Sequence, residues 1–415
     1  MNRPRVVITG IGAISPLGTT PDLLWEGLIQ GKSGIRRITQ FDPTDLPCQI
    51  AGEIPDFHPE DYMDKKEARR IARSSQIALA AAIDAVKDAG LEGTMPEPER
   101  AGVFFGTAIG GLDVMDEAVK IYQAKGFERV SPFALPSSIP NMPAFMISQQ
   151  FKCLGPSNTI TTACATGTQA IGGGAELIRR GVADIVITGG TEALIRDFVF
   201  VGFIAMRALP VNYNDRPGEA CCPFDANREG FVFSEGAGVL ILENLEHARQ
   251  REARIYAEVV GHAASADGYH MAALDPDAAG PARAMRWALM DAGLRPEEID
   301  YINAHGTGTK QNDATETRAI KAVFAENAYQ VPISSTKSMI GHAMGASGAL
   351  EAIACVKTIE SGCIHPTINY KTPDPECDLD YVPNTTRQAT VNTTLSNSFG
   401  LGGQNACLVL KRYQA

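Results

Sequence analysis

The chain has 415 residues, 44% of them hydrophobic and 20% charged, with a formal net charge of −11. That length exceeds the roughly 250–300 residues that one hydrophobic core supports, so two domains or two fused halves are expected. The acidic balance excludes a general nucleic-acid binder, whose footprint should be basic.

The first segment, "MNRPRVVITGIGAISPLG", passes directly into a strand pattern without a long apolar run, so no signal peptide is expected. Its "GIGAIS" has two glycines of a dinucleotide fingerprint, but Ser15 stands in the third place and no strong helix pattern follows. "EARRIARSSQIALAAAIDAVKDAG" reads as a helix. Lys66, just before it, and Arg69, Arg70 and Arg73 within it recur at i, i+3, i+4 and i+7, one basic face. No stretch approaches the roughly 20 apolar residues of a membrane span. The short runs "RAGVFFGT", "NTITTA" and "ADIVITGG" are β-rich and alternate with helical stretches, an α/β class with buried strands.

In "TTACATGTQAIGGG" a single cysteine, Cys164, stands where strand turns into helix. A thiol at a helix N-terminus is expected to ionise more readily, because unpaired N–H groups and the helix dipole favour an anion. Gly172, Gly173 and Gly174 each weaken a helix, so close backbone approach is expected, against a small-residue counterpart at "MGASGAL". The nine cysteines are scattered without a CxxC, and Cys221–Cys222 is merely vicinal. That pattern argues against a disulfide framework or zinc site and fits a reducing cytoplasm.

The second part of the chain repeats the first. "IYAEVVGHAAS" restarts the pattern of "RVVITGIGAIS", and "GGQNACLVLK" matches "EGAGVLILEN" as a closing strand. "VPISSTKSMIGHAMGASGALEAIACVKTIESG" again gives strand, reactive residues and small-residue helix. The expected boundary lies near residue 252. A half at 1–252 then carries the nucleophile and a half at 253–415 the histidines, packed as a pseudo-dimer with both helix starts at the centre.

"YINAHGTGTKQND" sets His305 after a strand, and "SSTKSMIGHAMG" sets His342 five residues after Lys337. His58, His247, His262, His270 and His365 have no such context. One cysteine and two histidines suit thioester chemistry, since imidazole N–H groups can stabilise an enolate oxygen. A Cys–His–Asn protease uses the same residue types but explains neither the second histidine nor the repeat. No third ligand at a familiar spacing supports a metal site.

"TACATGTQAIG", "NAHGTGT", "SSTKSMIGHAMGASGALEA" and "SNSFGLGGQNA" together resemble the signature segments of β-ketoacyl-acyl-carrier-protein synthases, in the synthase II branch of the thiolase fold. The resemblance spans nearly the whole chain. It implies two duplicated α/β halves in a layered αβαβα architecture, and decarboxylative Claisen condensation of an acyl chain with malonyl-acyl-carrier protein in fatty acid elongation. By it, Cys164 carries the acyl group, His305 and His342 promote decarboxylation and hold the enolate, and Lys337 supports them. Glu316 falls at the carboxylate that pairs with the lysine. Backbone N–H groups of Cys164 and Leu401 form the oxyanion hole, and Thr307 and Thr309 bind the phosphopantetheine arm. Ile109, Phe133, Phe399 and Leu401 fall at the acyl pocket and its gate, with Phe133 reaching across a homodimer interface. No tightly bound cofactor is implied beyond a structural Na+ or K+ at Asn303, Glu351, Ser396 and Asn397.

Leu401 departs from the family pattern, which has phenylalanine there, so an aromatic gate is not preserved, whereas the backbone N–H is. Acyl carrier protein is the implied partner, docking at Lys66, Arg69, Arg70, Arg129 and Arg207; Glu128 replaces a basic residue. Neither nucleic acid nor membrane is an expected partner, and the expected location is the cytoplasm. A thiolase would carry a second cysteine in the last glycine-rich loop, where "NSFGLGGQNA" has none before Cys407. A non-catalytic chain-length partner would usually lack Cys164.

Overall fold

The computed structural model describes residues 3–93 and 95–414. Ten strands form one sheet: Val6–Ile14 (β1), Ala101–Thr107 (β2), Ser157–Ile160 (β3), Ile185–Glu192 (β4), Gly236–Asn244 (β5), Ala257–Ala266 (β6), Tyr301–Asn303 (β7), Ile333–Ser334 (β8), Thr393–Gly400 (β9) and Gln404–Lys411 (β10). Their order is β8-β7-β9-β10-β6-β1-β5-β4-β2-β3. Read outward from the middle, both sides show the same sequence of pairings. Two antiparallel pairs come first, β1 on β5 and β5 on β4, matched by β6 on β10 and β10 on β9. Two parallel pairs follow, β4–β2–β3 matched by β9–β7–β8. Within the sheet, the two sides are joined by the pairs Val7↔Glu258 and Ile8↔Ala257.

Most of these strands are buried because their runs are apolar on both faces, as expected when helices cover a sheet on each side; the edge strand β3 is not, and β6 is buried at alternate positions. Every residue of β1, β4 and β9 is buried. Arg73–Asp88 (α1) covers β1 and β5 from outside with a face of small residues, among them Ala78, Ala81 and Ala85. Gly12 permits that approach: a Cβ there would lie 2.0 Å from the Ala81 carbonyl oxygen. The "GIGAIS" glycines thus serve strand–helix packing within β1. Thr166–Arg179 (α2) and Ser347–Ser361 (α5) pack on each other and reach strands of both sides. Ala279–Ala292 (α3) and Lys310–Phe324 (α4) cover the second side.

Two sequence expectations change. The single helix carrying the basic face is broken: one turn spans Lys65–Ala68, Ala72 is extended, and α1 begins at Arg73. Arg73 is drawn inward to the fully buried Glu235 carboxylate at 2.8 Å, which takes it off any shared face with Lys66, Arg69 and Arg70. The triple glycine of α2 is helical, but it makes room for rings. A Cβ on Gly172 would strike the His262 ring at 1.8 Å, and one on Gly173 the Phe104 ring at 2.6 Å. The contact between α2 and the "MGASGAL" segment lies one turn earlier, at Gly167 against Gly345 and Ala349. No helix among the described residues is long and apolar enough to cross a membrane.

Candidate active site

Cys164 sits in a single 3-10 turn, Ala163–Ala165, that runs into α2. Ala163 takes a positive φ of 50°, bending the chain sharply between β3 and the helix. From the other side of the molecule, His305 follows β7, and His342 follows a short helix, Lys337–Ile340, that leads to α5. The Cys164 sulfur and one ring nitrogen each of His305 and His342 lie within 4.8 Å of one another. His342 Nε2 is 2.9 Å from Cys164 Sγ, and the two imidazole rings stand edge to face with centroids 5.4 Å apart.

All three are buried, and burial decides their charge states. Both imidazoles are held well below their ordinary pKa by desolvation first, then by the positive charge of Lys337, so both are neutral at pH 7. The thiol differs from the sequence expectation. Burial pushes Cys164 up to about 11, although Lys337 and the backbone N–H groups of Leu401 and Cys164 itself favour the anion. The helix-start position is as expected, but desolvation outweighs it. Since the thiolate is the reactive form, alkylation of Cys164 by iodoacetamide should rise about tenfold per pH unit from pH 7 towards 10. A rate that levels off near pH 7 would contradict this.

Lys337 is fully buried and its Nζ lies 3.3 Å from His305 Nδ1. Its counter-ion is Glu351, one turn into α5, in a short buried ion pair. The expected pairing with Glu316 is therefore corrected. Glu316 instead accepts the backbone N–H groups of His305 and Gly306, each at 2.8 Å, and the amide of Asn397 at 3.1 Å. Its carboxyl is raised to about 7 by burial. The reason is geometric: α4 presents Glu316 to the backbone of the histidine loop, while α5 starts beside Lys337.

A cavity of about 910 Å³ opens onto the cysteine and both histidines and is lined also by Thr307, Thr309, Phe399, Leu401 and Arg207. The two threonine hydroxyls lie 3.0 Å apart. The Phe399 ring stands 5.8 Å from that of His305. Ile109 and Phe133 do not line this cavity. Ile109 packs in the apolar cluster that contains Cys164. Phe133 lies in a separate groove of about 370 Å³ with Lys66 and Arg70, whose guanidinium covers its ring at 4.6 Å. Lys66, Arg69, Arg70, Arg129 and Arg207 are all exposed. Cys407 lies in β10, its Sγ donating to Asn397 Oδ1, outside the cysteine–histidine cluster.

Sequence reasoning missed several residues here. Ser347 Oγ lies 2.9 Å from His342 Nδ1. Glu192, at the end of β4, accepts from the Thr107 hydroxyl and from the Ala108 and Gly345 N–H groups, tying the loop before Ile109 to the segment after His342. Arg228, 1% exposed, donates to the carbonyls of Thr309 and Lys310 while facing Asp313 and Asp374, and so fixes the threonine loop. Glutamate ending the apolar run "ADIVITGGTE" was a legible signal of a buried carboxylate; Ser347 and Arg228 gave none.

Residues 3–248 match the Beta-ketoacyl synthase, N-terminal domain family and residues 256–371 the Beta-ketoacyl synthase, C-terminal domain family. The chain belongs to the β-ketoacyl synthase family. It is 47% identical over 414 residues to the 3-oxoacyl-[acyl-carrier-protein] synthase 2 of Synechocystis sp., covering 100% of this chain and 99% of that relative. Among solved structures, the ishigamide ketosynthase/chain length factor aligns with a TM-score of 0.92 at 40% identity, covering all of both chains. A type II PKS ketosynthase in complex with its acyl-carrier protein, bound to the hexaketide, aligns with a TM-score of 0.90 at 36% identity, again over all of both chains. The architecture is the thiolase fold, with α2 and α5 as its inner helical layer.

Proposed function

We propose that the chain condenses an acyl group, carried on Cys164, with malonyl-acyl-carrier protein, giving 3-oxoacyl-acyl-carrier protein, CO2 and free carrier protein in fatty acid elongation. The 2.9 Å approach of His342 Nε2 to Cys164 Sγ carries the reading. In the first half-reaction, Sγ attacks the acyl thioester carbonyl while His342 Nε2 takes its proton. The tetrahedral oxygen receives the N–H groups of Cys164 and Leu401, both of which already favour negative charge at that sulfur. The carrier thiol leaves with the proton from His342. In the second, malonyl thioester loses CO2, and the electron pair passes to an enolate oxygen facing the His305 and His342 rings. The enolate carbon then attacks the acyl-cysteine, and the Sγ–acyl bond breaks with its electron pair returning to Sγ, which takes a proton from His342 Nε2; the ring is then reprotonated from water.

Lys337 keeps His305 in one protonation form, and Thr307 and Thr309 receive the phosphopantetheine arm that enters by the 910 Å³ cavity. Lys66, Arg69, Arg70, Arg129 and Arg207 form the docking surface for an acidic carrier, acting locally because both proteins are acidic overall. Phe399 and Leu401 line the mouth of the cavity at Cys164, and Ile109, in the apolar cluster around Cys164, stands where the end of the acyl chain would be packed. A division near residue 252 into two related halves accounts for the mirrored strand order.

A homodimer in the cytoplasm completes this reading. Its support is the edge strand β3 and the exposed apolar side chains Phe127, Phe133, Leu135, Phe145 and Leu154 in the segments around it. A monovalent cation fits Asn303, Glu351 and Ser396, which hold buried oxygens without a hydrogen-bond partner. Asn397 fits less well, its amide being engaged by Glu316 and Cys407. Such an ion would supply structural charge balance beside Glu351.

The test incubates the protein with acyl- and malonyl-carrier protein and follows products by mass spectrometry; absence of any two-carbon-longer 3-oxoacyl product refutes the assignment. In the same assay, Leu401→Phe should alter the ratio of long to medium primers by about tenfold, the scale of adding bulk to the cavity wall that Leu401 lines. An unchanged profile would remove Leu401 from control of the pocket mouth.

A further inference from the structure

The inner nitrogens of the two histidines are held by different chemistry. Lys337 Nζ, 3.3 Å from His305 Nδ1, can only donate. Nδ1 of His305 must therefore accept, and the proton of the neutral ring stays on Nε2. His305 is a fixed donor towards the cavity. The inner nitrogen of His342 instead meets Ser347 Oγ at 2.9 Å, and a hydroxyl can either donate or accept. Ser347 is 1% exposed and opens α5, so the helix sets where its hydroxyl lies.

We propose that Ser347 is a positioning residue whose hydroxyl lets His342 accept the Cys164 proton during acylation and donate from Nε2 during condensation. This rests on the reading of Cys164 as the acyl carrier. For acylation, Nδ1–H donates to Ser347 Oγ and Nε2 is bare; it takes the proton from Sγ as the Sγ–acyl bond forms. It returns that proton to the carrier sulfur as the old thioester bond breaks. Between half-reactions the neutral ring exchanges its proton with water, and the Ser347 hydroxyl turns to donate to Nδ1. Nε2–H then faces the enolate oxygen. Neither form loses a hydrogen bond at its inner nitrogen.

With alanine at 347, Nδ1 has no partner in either form. A buried N–H without an acceptor is tolerated less well than a buried lone pair without a donor. The proton-accepting form is therefore the one depleted, and the two half-reactions separate.

Full-length wild type, Ser347→Ala and Ser347→Thr should be compared in two assays: Cys164 acylation from acyl-carrier protein by quenched mass spectrometry, and CO2 release from malonyl-carrier protein. Ser347→Ala is expected to slow acylation about tenfold, the scale of one lost hydrogen bond in a buried site, and decarboxylation by less than about threefold. Ser347→Thr, which keeps the hydroxyl, should acylate within about threefold of wild type. Equal losses in both steps of Ser347→Ala overturn the inference, as does no loss in either. A folded Ser347→Thr as slow as alanine overturns it too; if threonine does not fold, the two rates of Ser347→Ala decide. A wild type that never labels on Cys164 overturns the reading of the nucleophile, and this inference with it.

Discussion

Cys164→Ala should eliminate acyl transfer, lowering condensation by about five orders of magnitude or more, as loss of a covalent nucleophile does elsewhere. The other eight cysteines cannot substitute: none joins the cluster with His305 and His342, and Cys407 is committed to Asn397. The fold should survive, because the lost sulfur leaves only a small void in an apolar cluster that includes Ile109, Phe200 and Phe233. Release of CO2 from malonyl-carrier protein depends on the two imidazoles and should persist. Intact-protein mass spectrometry with an acyl-carrier donor, alongside CO2 release, reads both outcomes. Retained condensation in Cys164→Ala would end the proposed mechanism.

Glu351→Gln should have the next largest effect. The substitution keeps shape and removes the counter-ion of a lysine that is fully buried. Breaking one partner of a buried pair costs about 3–5 kcal/mol, because an unpaired charge is left behind. The catalytic consequence passes through His305. Without its carboxylate partner the Lys337 ammonium is no longer held against Nδ1, and the fixed donor towards the enolate is lost. Removal of such a donor costs about 10²–10³-fold in rate. Urea unfolding and the condensation rate should fall together. Glu316→Gln is the contrast: its amide oxygen still accepts one of the two backbone N–H groups, so a loss of about tenfold or less is expected. The reverse ranking would restore Glu316 as the partner of Lys337.

Those two glutamates also mark where reading the sequence stopped. Cys164 and His305 stood out because each follows a strand pattern, and His342 because it stands five residues after Lys337 with Gly341 beside it. The strand pattern and the glycine-bearing helix were legible because spacing survives folding. Which carboxylate meets Lys337 was not, since periodicity tells which residues share a helix face but not where that helix is aimed. Ser347 and Glu351 are four apart on α5, so one face reaches both His342 and Lys337. Desolvation was equally invisible. A helix start predicts an acidic thiol, and only the packed surroundings reverse that sign. The basic face from Lys66 to Arg73 failed because a distant buried glutamate, Glu235, captured its last member.

At the meeting of α2 and α5 the two backbones touch. A methyl on Gly348 would sit 2.6 Å from the Thr168 nitrogen, and one on Gly167 2.7 Å from the Ala349 nitrogen. The spacing between sulfur and imidazole is therefore gauged by missing atoms: each helix rests against the backbone of the other, with only the short Thr168 and Ala349 side chains beside the contact. Such a joint has no adjustable tolerance. A single added carbon on either helix would open the gap between nucleophile and base while leaving every reactive group in place.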